Sequence, residues 1–574
     1  MKHLILLLSV FLGLTFTISA QNISPVMSNS QYSADEIYFR FSIKDKNELV
    51  SITRMISIDN VKGNVVTAYA TPEQFRKFSA LGYSVTRLPN PGIMTGDNAI
   101  MTGPKAPGSG VIWNFYPTYD QYVQYMNDFA SNNPSLCKLI NFGTTTQGRQ
   151  LLMVKISDSV DYSRGKPRVL LTSSIHGDET VGYVLMLHMI DSLLSGYGTN
   201  PRITNLVDNF EIYINPLANP DGTYHGGNNT VYGSTRYNAN GVDLNRNFPN
   251  MAGGDHPDGY AWQPETIAFM AIADSDFVMS MNFHGGSEVY NYPWDTWPRL
   301  HADDNWWKFT GREYADTVHK YSTSGYFTDE NNGITNGYAW YCVYGGRQDY
   351  TTYYKFGREV TLEISSTKNL PSSQVYKLIY YWNYNKRSIL DYIEEAGYGI
   401  NGQITDTVSG KPLNAKVFIF GHDKDNSFVY SHLPSGWYFR PIFDGTYDLT
   451  YSCDGYNTKL VNGISTVKYQ TNRQNVQLVP LNFGVNGKTT SGKLNILPNP
   501  SSIQCRIILP ESVATGYSLD VFNVLGNKVT SMEGTENPEY PFINLDISGY
   551  AKGFYLIRFM NAAGNIWEGK LLKE

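Results

Sequence analysis

The spacing of apolar and polar positions changes character several times along the chain. Residues 1–20, MKHLILLLSVFLGLTFTISA, place Lys2 ahead of a largely apolar run from Leu4 to Phe16 and end on the small Ser19 and Ala20. That is the plan of a secretory signal, too short to span a membrane. Between residues 36 and 89, strand-like runs (EIYFRFSI, NVVTAYA, YSVTRLP) alternate with helix-like ones, and Thr71-Pro72 opens one helix with a capping hydroxyl and a proline at its first position. A small β-α-β-α-β unit fits this pattern. Residues 90–110 are rich in Pro, Gly and Met and read as a linker. From about Trp113 to Ala396, apolar strands alternate with amphipathic helices, which predicts an α/β core. Short β-rich runs separated by Gly, Asn and Pro follow, predicting a small sandwich, and a Gly/Thr/Ser linker leads to a second all-β module. The expected plan is a signal over 1–20, a small α/β domain with its linker over 21–110, a core domain over 111–397, a β-sandwich over 398–483, a linker over 484–492 and a final module over 493–574.

Composition narrows the class. Of 574 residues, 41% are hydrophobic and 17% charged, with 43 Tyr, so several cores can be buried. A net charge of -6 without a Lys/Arg stripe excludes a dedicated nucleic-acid binder. Beyond the signal, no stretch approaches the ~20 apolar residues of a spanning helix, so no transmembrane segment is expected in the mature chain. Cys137, Cys342, Cys453 and Cys505 are too scattered for a disulfide framework or a Cys-x-x-Cys metal site and read as buried free thiols.

Candidate chemistry begins at His176-Gly177-Asp178-Glu179, where the apolar run Val169 to Ile175 meets an apolar, helix-like stretch. An imidazole and a carboxylate three residues apart, at the carboxyl end of a strand, can grip one divalent ion if another element supplies a third ligand. Phe277 to His284 is a second strand ending in a histidine, followed by Gly285-Gly286, which lets the backbone turn sharply. Two histidines and a glutamate leave a fourth position open, the plan of a catalytic zinc. His188 reads as packed on its helix, and His225, His256, His301, His319, His422 and His432 as loop or surface residues. A base that is not a ligand is also needed, and the strand Arg358 to Ile364 offers Glu359 and Glu363 on one face, each desolvated by apolar neighbours. The residues alone leave both open. The loop from Arg236 to Pro249 adds two arginines and several amides, suited to holding a carboxylate and an oxyanion.

His176-x-x-Glu179, Asn245-Arg246-Asn-Phe, His284-Gly-Gly, a loop with Tyr341 and the Glu363 strand occur together in an order that resembles the zinc metallocarboxypeptidases, the family of the pancreatic carboxypeptidases. Asn332 to Tyr350 is similar to the regulatory N/E subfamily, in which a transthyretin-like β-sandwich follows the catalytic domain. The resemblance implies an α/β, mixed-sheet catalytic domain with one Zn2+ held by His176, Glu179 and His284, and with Asp243 orienting His176. It implies Glu363 as general base, Arg236 at the oxyanion, and Asn245, Arg246 and Tyr341 on the terminal carboxylate of a peptide or protein substrate. Asp295 and Gln348 match the acid and polar partner that select C-terminal Arg or Lys. Arg347 departs from the Met usual there and could oppose a basic substrate.

The blocks LNILPNPSS, SLDVFNVLGNKV and LDISGYAKGFYLIRF resemble a type IX secretion sorting domain. That implies the type IX machinery as partner, export through the periplasm of a gram-negative bacterium, and a final place in the medium or on the cell surface. The small N-terminal domain reads equally as a propeptide or as a permanent accessory domain. Competing readings of the whole are a zinc amidase acting on bacterial wall peptides and an inactive surface-binding pseudoenzyme.

Overall fold

The computed structural model describes residues 36–93, 101, 103, 107, 110–163, 165–481, 490–509, 516–534, 542–562 and 564–574. The expected signal and most of both linkers lie outside these residues. No helix among the described residues is long and apolar enough to cross a membrane.

The N-terminal domain is a four-stranded antiparallel sheet, in the order β2-β3-β1-β4, built from β1 (Ile37–Ser42), β2 (Ser57–Lys62), β3 (Val65–Ala70) and β4 (Thr86–Arg87). The helix Pro72–Ser79 packs on it and starts as Thr71-Pro72 predicts, with Thr71 and Gln74 forming a reciprocal capping box. Strand β2 departs from the predicted pattern. Its sequence, SIDNVK, places Asp59 and Asn60 mid-strand, where propensity disfavours them. It forms because β3 pairs along one edge while the polar side chains find partners in the neighbouring domain.

The core domain carries an eight-stranded mixed sheet, in the order β11-β10-β12-β9-β7-β8-β6-β5. Its strands are β5 (Cys137–Thr144), β6 (Gln150–Ile156), β7 (Arg168–Ser173), β8 (Glu211–Asn215), β9 (Met279–His284), β10 (Glu288–Tyr292), β11 (Ile334–Asn336) and β12 (Arg358–Ile364). At the centre, β8, β7, β9 and β12 run parallel. Helices cover these strands, which explains their near-continuous apolar runs. The helix Val181–Gly196 is buried on almost every side, so its sequence carries little amphipathic signal. His188 on this helix stacks on Trp382 at a 4.0 Å centroid distance, a packed residue as its context predicts.

Eight short strands over Gly399–Leu478 form two small sheets around Ile400, Ile404, Val417, Tyr438 and Leu449. A buried ionic cluster joins them to the core domain. Asp303 accepts from Arg358 at 2.9 Å, from Arg440 at 2.8 Å and from His422 at 2.8 Å, and Asp423 accepts from Arg440 at 2.7 Å. His301, expected as a loop or surface residue, stands in a loop but is buried between Trp294 and Trp307, with its Nδ1 accepting from the Asp303 amide. Trp294 and Trp307 are near it in sequence, but no periodic spacing ties them to it, so only packing reveals the contact. All four cysteines are free, three of them buried.

Residues 480–574 form a separate compact unit. It holds a five-stranded and a three-stranded sheet around Ile507, Leu519, Val521, Ile557 and Phe559.

Because both Arg440 and Asp303 are fully buried, removing one charge strands the others. Arg440→Met is expected to destabilise the unit holding residues 36–479 by about 3 kcal/mol or more, read as a lower thermal midpoint with the sandwich becoming protease-sensitive.

Candidate active site

Three parallel strands end at one place. β7 stops at Ser173, and Ser174 takes a left-handed conformation (φ 57°) while its hydroxyl donates to the carbonyl of Glu179 at 2.8 Å. This turn folds His176 and Glu179 back over the strand end before the helix begins at Val181. At Gly177 a side chain is impossible, since a Cβ would lie 2.3 Å from the backbone of Gly222. His284 is the last residue of β9 and Glu363 stands directly beside it on β12.

One ligand atom from each of His176, Glu179 and His284 falls within a 4.8 Å sphere of the others, and all three residues are buried. His176 Nδ1 is 3.0 Å from Glu179 Oε1, His284 Nδ1 is 2.9 Å from Glu179 Oε2, and the two Nδ1 atoms are 3.2 Å apart. Glu179 Oε2 makes no hydrogen bond. Lone pairs crowded this closely, one of them on a carboxylate oxygen without a donor, fit a divalent cation between them. The outward nitrogens are held as well: His176 Nε2 lies 3.1 Å from Asp243 Oδ1, and His284 Nε2 lies 2.8 Å from the Asn282 amide. The Asp243 carboxylate accepts the proton of His176 Nε2, which leaves His176 Nδ1 as an inward lone pair. Burial pushes the Glu179 carboxyl up, but His176, Lys368 and His284 outweigh it and hold it well below the usual range. Burial also lowers His284 to about 4, which keeps its imidazole neutral.

The two candidate bases separate. Glu359 is engaged at the start of β12, accepting from Arg347 Nε at 2.9 Å, Ser280 at 2.7 Å and Thr351 at 3.2 Å. Glu363 lines the cleft, and its buried Oε2 has no hydrogen-bond partner. Burial, then the charge of Glu179, raises its pKa well above the ordinary carboxyl value.

The cleft also takes in Arg236, Asn245, Arg246, Tyr341 and Asp295. Asp243 caps the short turn Leu244–Arg246 through the Asn245 amide at 2.9 Å and binds Arg236 Nε at 3.0 Å, so one carboxylate organises both arginine-bearing segments and His176. Asp295 is buried without a cation. It accepts from Asn291 at 3.0 Å and Gln348 at 3.1 Å, and the carbonyl of the Gln348 side chain in turn accepts from the Thr361 amide at 2.7 Å. Both oxygens of Asp349 accept backbone N–H groups, from Asp295 at 3.0 Å and Thr296 at 2.8 Å. Burial and then the neighbouring Asp349 raise Asp295 to about 8. Arg347 is not part of this lining: its guanidinium turns away to Glu359 and over the Phe269 ring.

Strand β2 lies across the cleft. Arg246 Nη2 donates to the Ile58 carbonyl at 3.0 Å and the Tyr341 hydroxyl to the Asp59 carbonyl at 3.4 Å. The Asp59 carboxylate meets Arg236 Nη1 at 3.3 Å and Lys368 Nζ at 2.5 Å, while Asn60 donates to the Gly286 carbonyl at 3.3 Å. Tyr69 donates to Asp178 at 2.6 Å, and Glu36 accepts from the backbone of Arg236 at 2.8 Å. Asp59, Lys368, Tyr69, Glu36 and Asn291 were invisible in the sequence. Asp59, Tyr69 and Glu36 act across a domain boundary and Lys368 reaches segments far from it in sequence, while Asn291 serves Asp295 within one stretch that carries no recognisable spacing.

Residues 122–388 match the family described as zinc carboxypeptidase, and residues 495–574 the secretion system C-terminal sorting domain. The chain is 33% identical over 351 residues to carboxypeptidase M of Mus musculus, covering 58% of this chain and 77% of that protein. It is 31% identical over 408 residues to the carboxypeptidase N catalytic chain of Mus musculus, covering 63% and 87%. With carboxypeptidase D of Rattus norvegicus it shares 32% identity over 396 residues, 64% of this chain and only 27% of that longer protein. A relative so similar over most of its length, together with a buried His-Glu-His group that could hold a metal ion and a C-terminal sorting tail, means that the chain is an exported member of the zinc carboxypeptidase family, marked for secretion or the cell surface by a type IX sorting domain.

Proposed function

We propose that this enzyme removes C-terminal Arg or Lys from peptides and proteins, using one zinc held by His176, Glu179 and His284. When bound, zinc supplies a Lewis acid for the scissile carbonyl and lowers the pKa of water. Glu363 accepts the proton of the attacking water and passes it to the leaving amine. Arg236, buried beside the ligands, donates to the carbonyl oxygen as its charge develops. Asn245, Arg246 and Tyr341 hold the terminal carboxylate, which restricts cleavage to the last bond. The observation that carries the basic preference is Asp295: a buried carboxylate in the cleft, bonded to amides and lacking a cation, suits a guanidinium or ammonium from the substrate. The turning of Arg347 toward Glu359 removes the cation that would have opposed it. A wall-peptide amidase is disfavoured by the carboxylate clamp and Asp295 together. The enzyme is read as passing through the periplasm of a gram-negative bacterium, then being released or held at the cell surface.

The N-terminal domain is read as a propeptide that blocks this cleft. Its β2 gives Arg246 a carbonyl where a terminal carboxylate would sit. The strand also runs the wrong way for cleavage, with Ile58 at Arg246 and the chain number rising past the metal ligands toward Gly286, whereas a substrate's number would fall. Release would follow proteolysis within residues 94–110.

Four measurements test these readings. Peptides ending in Arg, Lys, Phe and Glu, given to zinc-loaded protein cleaved in the linker, should rank Arg and Lys first; a chelator should abolish turnover and Glu363→Gln should lower it roughly 10³-fold. A clear preference for Phe would defeat the specificity. Below its raised pKa Asp295 is a neutral acid and above it a carboxylate, so the Arg-to-Phe ratio of kcat/KM should climb between about pH 6 and about pH 9. Arg347→Met should leave that ratio intact while costing about 3 kcal/mol of stability, since Glu359 loses its buried partner. In the uncleaved chain, Asp59→Ala should raise basal activity about tenfold through the loss of charge-assisted bonds; full activity from wild-type protein starting at Gln21 would sink the propeptide.

A further inference from the structure

Lys368 has no part in the chemistry described above, yet the fold makes a place for it. The chain turns back after β12, and the Lys368 carbonyl is fixed by the Thr180 amide at 3.0 Å. Its side chain, 4% exposed, runs over Gly286, where φ is +121° and a Cβ would stand 2.9 Å from Lys368 Cε. Glycine is therefore needed there both for its backbone and for the space it leaves to the lysine stem. Nζ arrives 3.1 Å from Glu179 Oε1, 3.8 Å from Asp178 Oδ2 and 2.5 Å from Asp59 Oδ1.

The partners inside the catalytic domain do not fully serve this cation. Asp178 is beyond hydrogen-bond reach. Glu179 belongs to the metal ligand set, so its charge is committed elsewhere in the loaded enzyme. Arg236 is in a similar position: Nε is taken by Asp243, while Nη1 turns to the same Asp59 oxygen that Lys368 holds. Two buried cations thus converge on one carboxylate oxygen contributed by the N-terminal domain. Lys368 is not among the residues lining the cleft with Asp295 and Arg246. It stands past Glu179, beside Gly286, on the side that the residues preceding the scissile bond must take when the terminal carboxylate is at Arg246.

We propose that Lys368 forms a carboxylate subsite for the residue on the amino side of the scissile bond, so that the enzyme favours peptides with Asp or Glu as penultimate residue. Asp59 fills this subsite while the N-terminal domain is in place. The inference rests on the exopeptidase and propeptide readings, and its test separates the two failures.

The Glu363→Gln chain, cleaved in the linker and loaded with zinc, is titrated with peptides ending in Glu-Arg, Ala-Arg and Lys-Arg, which it binds without appreciable turnover. Glu-Arg should bind about fivefold tighter than Ala-Arg, and Lys-Arg weakest, in line with one charge-assisted contact. Adding Lys368→Met should erase the ranking and Lys368→Arg should keep it. The first titration needs no substitution at Lys368, so a misfolded Lys368→Met chain does not blunt the test. Equal binding of the three peptides, or tighter binding of Lys-Arg than of Glu-Arg, overturns the subsite alone. Absence of binding by all three, with no turnover by the linker-cleaved wild type, overturns the exopeptidase reading with it.

Discussion

The parallel register of β12 on β9 is the constraint on which the site depends. It sets Glu363 beside His284, one residue opposite the other, at the carboxyl ends of strands whose inner neighbours are buried. β7, on the far side of β9, then delivers His176 and Glu179 through a turn that only a left-handed Ser174 and a side-chain-free Gly177 allow. A slip of one residue in either pairing would turn Glu363 or His284 to the opposite face of the sheet. The apolar packing of the central strands and the helix Val181–Gly196 against them is what holds that register.

The second feature of the molecule is how many charges it buries, and how it balances them. Around His176, Glu179 and His284 lie Asp178, Asp243, Arg236 and Lys368, all nearly inaccessible, with Asp59 brought in by the N-terminal sheet. Such groups are tolerable only with partners at hydrogen-bond distance. Part of the balance is therefore supplied from outside the catalytic domain, which ties the electrostatics of the cleft to the presence of β2. Asp303 plays a comparable part on another face, where its bonds to Arg358 and Arg440 join the β-sandwich to the first residue of the strand that carries Glu363.

Sequence and structure agree where the signal is local. The strand–turn–helix around His176 to Glu179, the strand ending at His284 and the cap at Thr71 are all written in short-range period and residue type, and they form as that pattern predicts. Agreement fails where a residue's environment is set by packing rather than by short-range period. His301 is a loop histidine by its neighbours and a core residue by its contacts with Trp294 and Trp307. The run SIDNVK has poor strand character, and its pairing depends on β3 and on cations in another domain.

The same division runs through the function. From the sequence alone came the ligand types, their strand-end settings, the order of the motifs and the sorting tail, because each depends on residue identity and spacing along a few turns of chain. The tertiary structure decided three things that spacing cannot reach. It engages Glu359 with Arg347 and leaves Glu363 facing the cleft. It turns Arg347 away from Asp295, and it lays Asp59 between Arg236 and Lys368. All three are matters of which buried charge faces which, and that depends on how separate elements pack together rather than on spacing along the chain.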